Sequence, residues 1–312
     1  MAEMEGERLN EVIAGAIMFL VGVVGSLVNI FAVVLIYRTP TFHNAFGVIC
    51  ASHLLADVGV LAICALWAGP ATFFNFSSST THSYFGERLG QVIMFFWYAS
   101  IYCQLQIAIN RLVAISLPML YNWAFSTRRT AQVLAGFWLL SFAHVIIYFW
   151  DGCSFTFEVE SFNWNYAETS CGAIISFYLD FLHGTVLCVT VIVVDTITFF
   201  VIFKKAKMLG RSNSTMQERS MLWRNIHFYL QGCLQAGCFV LMITSFHILS
   251  KLTKTKWQTF LTTTFVWELM HAMDGVVIFI FHERFRVVLL HPGLLFRRNT
   301  RATSTSAVKP IH

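Results

Sequence analysis

Charge is what this chain has least of. Asp, Glu, Lys and Arg make up 12% of its 312 residues and hydrophobic types 57%, with a mean hydropathy of +0.65. A soluble domain carries roughly 25% charged residues, so a soluble globular chain and a disordered one are both excluded. Proline is scarce as well. Pro40, Pro70, Pro118, Pro292 and Pro310 all fall in loops, at the ends of apolar runs or in the tail, which leaves every run free of a proline hinge. Long polar connections are missing, so no extramembrane domain is expected. A basic stretch ahead of the first apolar run is missing too. Met1 to Glu11 carries Glu3, Glu5, Glu7 and Glu11, unlike a cleavable signal peptide, and the first run is expected to act as its own insertion signal.

What is present is seven long apolar runs. They extend over Val12 to Ile36, Ala45 to Ala68, Leu89 to Leu117, Ala131 to Trp150, Ala173 to Phe203, Ile226 to Leu249 and Gln258 to Phe281. Each meets the roughly 20 residues that a helix needs to cross the hydrocarbon core. The expected architecture is an all-α membrane protein. It has a head over 1–11, a seven-helix bundle over 12–281 and a short amphipathic helix with a tail over 282–312.

The positive-inside rule sets the orientation. With the N-terminus outside, only Arg8, Arg88, Lys251, Lys254 and Lys256 of the 21 basic residues face outward. The net charge of +5 then concerns topology and anionic inner-leaflet lipid, and it gives no support to nucleic-acid binding. In this orientation the sequon at Asn75 is outside and open to glycosylation, whereas that at Asn213 is inside. Six of the eight cysteines lie within apolar runs. Cys153 and Cys171 share the outer face in one loop, where a disulfide would pin that loop over the bundle mouth; two free thiols are the alternative.

Short motifs in chain order then point to a superfamily. Asn110-Arg111-Leu112, with Pro118, Tyr121 and Arg128-Arg129 following, resembles the Asp-Arg-Tyr segment and second intracellular loop of rhodopsin-like G protein-coupled receptors. Trp138 takes the place of the span-four tryptophan. Gly25 to Asn29 resembles the span-one motif, Leu54 to Asp57 the span-two aspartate motif and Asp274 to Ile278 the Asn-Pro-x-x-Tyr ending. Phe285-Arg286 falls at the spacing of the eighth helix. The departures narrow the resemblance. Span three lacks its customary first cysteine, which favours the Cys153–Cys171 bridge. Prolines are missing from spans five to seven, where Gly184, Gly232, Gly237 and Gly275 supply either flexibility or close packing. Together with Met273-Asp274-Gly275 and the run Ile280 to Phe285, this combination resembles the nematode serpentine chemoreceptors of class x.

The resemblance implies a multi-pass plasma-membrane receptor of sensory cilia that detects a small molecule or peptide and activates a heterotrimeric G protein. Arg111, with Asn110 and Pro118, is the implied coupling site. Because Asn110 replaces the acid, the adjacent ion pair of the superfamily cannot form. Asn29, Asp57, Ser100 and Asp274 are implied as a polar core holding sodium or a proton. No other cofactor is expected.

Ionisable groups within a membrane are costly and are functional candidates in their own right. Asp57, Asp180, Asp195, Glu268 and Asp274 are of this kind, Asp195 the weaker case because it lies nearer the inner end. For a ligand, Trp97, Tyr98, Asp180, His183, Gln231, Gln235, Trp267, Glu268 and His271 supply polar and aromatic groups, several sharing a helix face; lipid-interface and core roles are open to each. Ile93 stands where aminergic receptors carry their aspartate, which speaks against a biogenic amine. Two other classes compete. Glu268-Leu-Met-His271 has metal-ligand spacing, as in seven-span hydrolases, yet His53, His144, His183, His227 and His247 form no second pair. A ligand-gated channel of the insect odorant-receptor type also has seven spans, but with its N-terminus inside.

Overall fold

The structure, a computed structural model, describes residues 2–211 and 215–282. Seven helices among these residues are long and apolar enough to cross a bilayer, here called spans one to seven: Glu5–Arg38, Ala45–Phe73, Tyr84–Ser116, Thr127–Phe149, Ser170–Leu209, Tyr229–Leu252 and Lys256–Phe281. The expected eighth helix at Phe285-Arg286 and the sequon at Asn213 lie outside the described residues.

Several span starts follow from side-chain caps. Asn44 accepts from the Gly47 amide, Ser83 from Gly86, Thr169 from Gly172 and Thr255 from Gln258, at 3.0–3.3 Å. Each satisfies an amide that a helix otherwise leaves open at its start. The segment expected as a head is helical from Ala2. Trp257 Nε1 donates to Asn10 Oδ1 at 3.0 Å, tying this segment to span seven.

Neighbouring spans close a bundle in which span seven packs against spans one, two and six, and span three contacts spans two, four and five. Span three is the central post: 72% of its apolar window is buried, against 22% for span four and 28% for span five. Trp138 Nε1 donates to Ser52 Oγ at 2.9 Å and fixes span four to span two. Leu20, Leu27, Leu66, Phe200 and Leu241 point outward and are exposed, as lipid-facing side chains would be.

Pro70, expected at the end of span two, lies in its last turn. The helix runs past Pro70 to Phe73 through a widened π turn at Cys64–Ala68. Proline offers no amide to the preceding turn, and a π turn absorbs that mismatch without ending the helix. Similar wide turns occur at Ile175–Leu182 in span five and Leu261–Phe265 in span seven.

The loop between spans four and five folds into a hairpin, β1 (Phe155–Glu158) paired antiparallel with β2 (Asn163–Tyr166) in the register Phe155↔Tyr166. Cys153 and Cys171 are joined by a disulfide that anchors β1 to the first turn of span five. Phe155, Phe157, Phe162 and Trp164 are all buried in the bundle mouth. A Cβ on Gly90 would stand 1.5 Å from the Phe155 carbonyl oxygen, so only glycine lets span three approach β1 this closely. Thr264 Oγ1 donates to the Phe162 carbonyl at 2.8 Å from the span-seven side. The first turn after span two leaves Asn75 exposed with φ 52°, a left-handed conformation that asparagine tolerates.

Candidate functional site

Four constellations emerge along the bundle axis. The face carrying the N-terminus is called the N-terminal face below, and the other the opposite face.

Toward the opposite face, Arg111 Nη2 on span three donates to Asp195 Oδ1 and Oδ2 on span five at 3.0 and 3.4 Å, and both side chains are buried. Asp195, the weaker case among the acids, is therefore the partner that Asn110 cannot be. Asn110 Nδ2 instead donates to the Tyr121 hydroxyl at 3.4 Å, and Pro118 opens the short helix Pro118–Ala124 that presents Tyr121. The guanidinium fills the space beside Gly232 of span six: a Cβ there would fall 0.9 Å from Arg111 Nη1. One arginine thus touches spans three, five and six. Lys205 Nζ adds a bond to the Ile115 carbonyl.

The middle of the bundle holds the polar core. Asp57 Oδ1 accepts from Ser100 Oγ at 2.8 Å and lies 2.7 Å from His271 Nδ1. His53 Nε2 stands 3.3 Å from Asp274 Oδ2 and 3.7 Å from Asp57 Oδ2. Gln235 Nε2 donates to Asp274 Oδ1 at 3.0 Å, bringing span six into the cluster. Asn29 Nδ2 donates to the His271 carbonyl at 3.0 Å and contacts the core through the backbone of span seven. The sodium expected here takes oxygen ligands. Asp57, Asp274 and Ser100 supply such oxygens, and an imidazole nitrogen, His53 Nε2, stands between the two carboxylates. A small cavity adjoins the core, lined in part by His53, Ser100, Gln104, Gln235 and Asp274.

Toward the N-terminal face, under the hairpin, lies a second, small cavity, lined by Met94, Trp97, Phe155, Asp180, His247 and Trp267 among others. Asp180 is its acid. Asp180 Oδ2 accepts from the Tyr166 hydroxyl at 2.8 Å and stands 3.5 Å from His247 Nε2. Burial and the adjacent Asp180 carboxylate push the Tyr166 phenol well above its ordinary range, so it remains protonated as a donor. Trp97 and Trp267 meet edge to face at 6.3 Å between ring centres. A fourth group, Tyr98, Tyr102, His144 and His183, joins spans three, four and five, with the Tyr102 hydroxyl 3.0 Å from His183 Nε2 and the two imidazoles 4.9 Å apart.

The expected ligand set therefore divides. Trp97, Asp180 and Trp267 share the cavity under the hairpin. Gln235 and His271 belong to the polar core, and Tyr98 and His183 to the separate tyrosine–histidine group. Gln231 is buried one residue from Gly232, near the arginine and away from that cavity. Glu268 turns from the cavity toward span one, where a Cβ on Gly22 would meet its Oε1 at 2.9 Å. On span seven residue 268 lies about 100° around the helix from residue 267, whereas residue 271 lies only about 40° from it. His53, His247 and Tyr166 were missed. His53 falls four residues before Asp57, and an ionisable residue one turn from an intramembrane acid was a readable signal. Tyr166 had none, because its approach to Asp180 depends on the fold of the loop.

The bundle is similar to that of squid rhodopsin, with a TM-score of 0.73 at 15% sequence identity, covering 92% of this chain and 87% of that one. That likeness concerns the fold. The family of serpentine type seven-transmembrane GPCR chemoreceptors called Srx matches residues 19–282. The chain belongs to the Srx family. Two relatives from Caenorhabditis elegans agree. Serpentine receptor class X 45 is 24% identical, covering 90% of this chain and 81% of its own length. Serpentine receptor class X-43 is 22% identical, covering 89% and 86%. Srx proteins are receptors and not enzymes, which removes the hydrolase reading of Glu268 and His271. This Srx chain is a multi-pass membrane protein, and its single described disulfide, Cys153–Cys171, lies within one loop.

Proposed function

We propose that this Srx chain detects a small molecule in the cavity beneath the hairpin and passes the signal to a heterotrimeric G protein at the opposite face. The N-terminus is outside, at the plasma membrane of a sensory cell. The observation that carries the reading is the coaxial arrangement of a roofed cavity, a polar core and an arginine tie. Span six contributes to all three, through Met242 and His247 in the cavity, Gln235 in the core and Gly232 at Arg111.

The confined space between the hairpin and the aromatic side chains favours a compact molecule over a peptide. Trp97, Trp267, Met94 and Phe155 offer apolar and aromatic surface, and Asp180 with His247 offers one polar anchor. The preferred ligand is therefore apolar or aromatic with one hydrogen-bonding or cationic group. Its binding moves span six relative to span three, Arg111 separates from Asp195, and the opening between spans three, five and six admits the G protein. Arg111 then contacts the G protein in place of Asp195, while Asn110 and Pro118 hold the adjoining short helix.

An odorant screen on the receptor co-expressed with a G protein reporter tests this. A hit should lose potency in Trp97→Ala and Asp180→Asn while surface delivery is retained. A response that persists unchanged without any heterotrimeric G protein, or that carries current through the receptor itself, refutes the coupling and favours the channel reading.

A further inference from the structure

We propose that His53, Asp57 and Asp274 form a binding site for a divalent transition-metal ion of the zinc class, which ties span two to span seven. The site lies outside the ligand cavity and does not depend on the proposed function. His53 Nε2, one oxygen of Asp57 and one of Asp274 converge so that all lie within 4.8 Å of one another. Two of the separations are 3.3 and 3.7 Å, and tetrahedral zinc with bonds of about 2.0–2.1 Å spaces its ligand atoms roughly 3.4 Å apart.

Hydrogen bonding leaves these atoms facing one another. Asp57 Oδ2 has no hydrogen-bond partner among the described residues, and His53 Nε2 meets only the carboxylates of Asp57 and Asp274, although the His53 and Asp57 side chains are only 4% and 0% exposed. A buried carboxylate oxygen without a partner is costly, and a cation shared with the ring nitrogen would satisfy it. The far atom of every ligand is already held. His53 Nδ1 lies 3.2 Å from the Ser100 carbonyl, Asp57 Oδ1 is bound by Ser100 and His271, and Asp274 Oδ1 by Gln235. Metal-binding histidines and carboxylates are oriented by outer contacts of this kind.

Charge and donor type choose the ion. Two carboxylates with a neutral imidazole balance a doubly charged cation, whereas sodium would leave one negative charge buried. Imidazole is a ligand suited to zinc, copper, iron and nickel, while carboxylate and water alone suit magnesium and calcium. Three protein ligands leave a fourth position, and the cavity beside Gln104 and Gln235 gives a water room to fill it. Bound metal would join His53 and Asp57 of span two to Asp274 of span seven, opposing separation of these spans.

The test uses the purified full-length receptor in lipid nanodiscs, freed of metal by chelation, with Zn²⁺ titrated against its thermal midpoint. A saturable rise is expected. His53→Ala and Asp274→Asn should each weaken the apparent affinity about tenfold or more, while His43→Gln and His82→Gln leave it unchanged. His53→Cys retains a ligand and should bind Cd²⁺ better than the parent does, which keeps the test decisive if the alanine variant folds poorly. The proposal is overturned by a parent that ignores Zn²⁺, by an equal rise in His53→Ala and Asp274→Asn, or by a rise that Na⁺ alone reproduces.

Discussion

Replacing Gly232 with alanine perturbs the arginine tie by a single methyl group. The added carbon would lie 0.9 Å from Arg111 Nη1, 1.8 Å from Cζ and 2.2 Å from Nη2, against a van der Waals separation of about 3.5 Å. Either the guanidinium or span six must then retreat by more than 2 Å (roughly 3.5 minus 0.9 at Nη1). The contact to Asp195 is 3.0 Å long, and a hydrogen bond does not survive an extension of that size. Removing one partner of a buried ion pair costs about 3–5 kcal/mol. The displaced arginine recovers part of this by reaching water at the membrane surface. A residual of about 1–3 kcal/mol against the resting state corresponds to a shift of roughly 5–150-fold in the resting-to-active balance. Basal signalling in cells, normalised to surface receptor, should therefore rise at least fivefold. Asp195→Asn should raise it as well, and the double variant should be little higher than either, because both changes break the same contact. Basal signalling that stays at the parent level in Gly232→Ala, or an additive double variant, would refute the reasoning.

The other constellations give further expectations. Gly90→Ala places a methyl on the Phe155 carbonyl, a clash with backbone that should cost about 1–3 kcal/mol and lower the thermal midpoint; a neutral outcome would mean that the hairpin does not seat against span three. Cys153→Ser and Cys171→Ser should each lose about 3 kcal/mol of loop restraint and reduce surface delivery, with the double variant no worse than either. In a eukaryotic membrane Asn75 should carry glycan, seen as a glycosidase-sensitive mass shift that Asn75→Gln abolishes; persistence of the shift in that variant, with loss in Asn213→Gln, would invert the topology.

Much of the fold was legible because a bilayer leaves so few solutions. Seven apolar runs, the cap residues Asn44, Ser83, Thr169 and Thr255, and the paired loop cysteines each have a local physical signal. What failed to appear depended on helix rotation and on wide turns. Asp195 looked marginal by depth alone, yet span five turns it onto Arg111. Glu268 and His271 share a helix with Trp267, yet Glu268 turns toward span one while His271 stays beside Trp267 and reaches Asp57. The continuation of span two through Pro70 depends on a π turn that no residue type announces. His53 was the avoidable omission, since a spacing of one helical turn from Asp57 is a property of the sequence itself.

Nucleotide exchange on a purified heterotrimeric G protein, driven by the receptor in nanodiscs, tests the central claim most directly. The parent, Asp195→Asn and Arg111→Ala would be compared at equal receptor concentration. Release of the tie should make Asp195→Asn about fivefold or more faster than the parent, and loss of the contact group should bring Arg111→Ala to the rate of empty nanodiscs. Equal exchange by all three proteins would contradict the account.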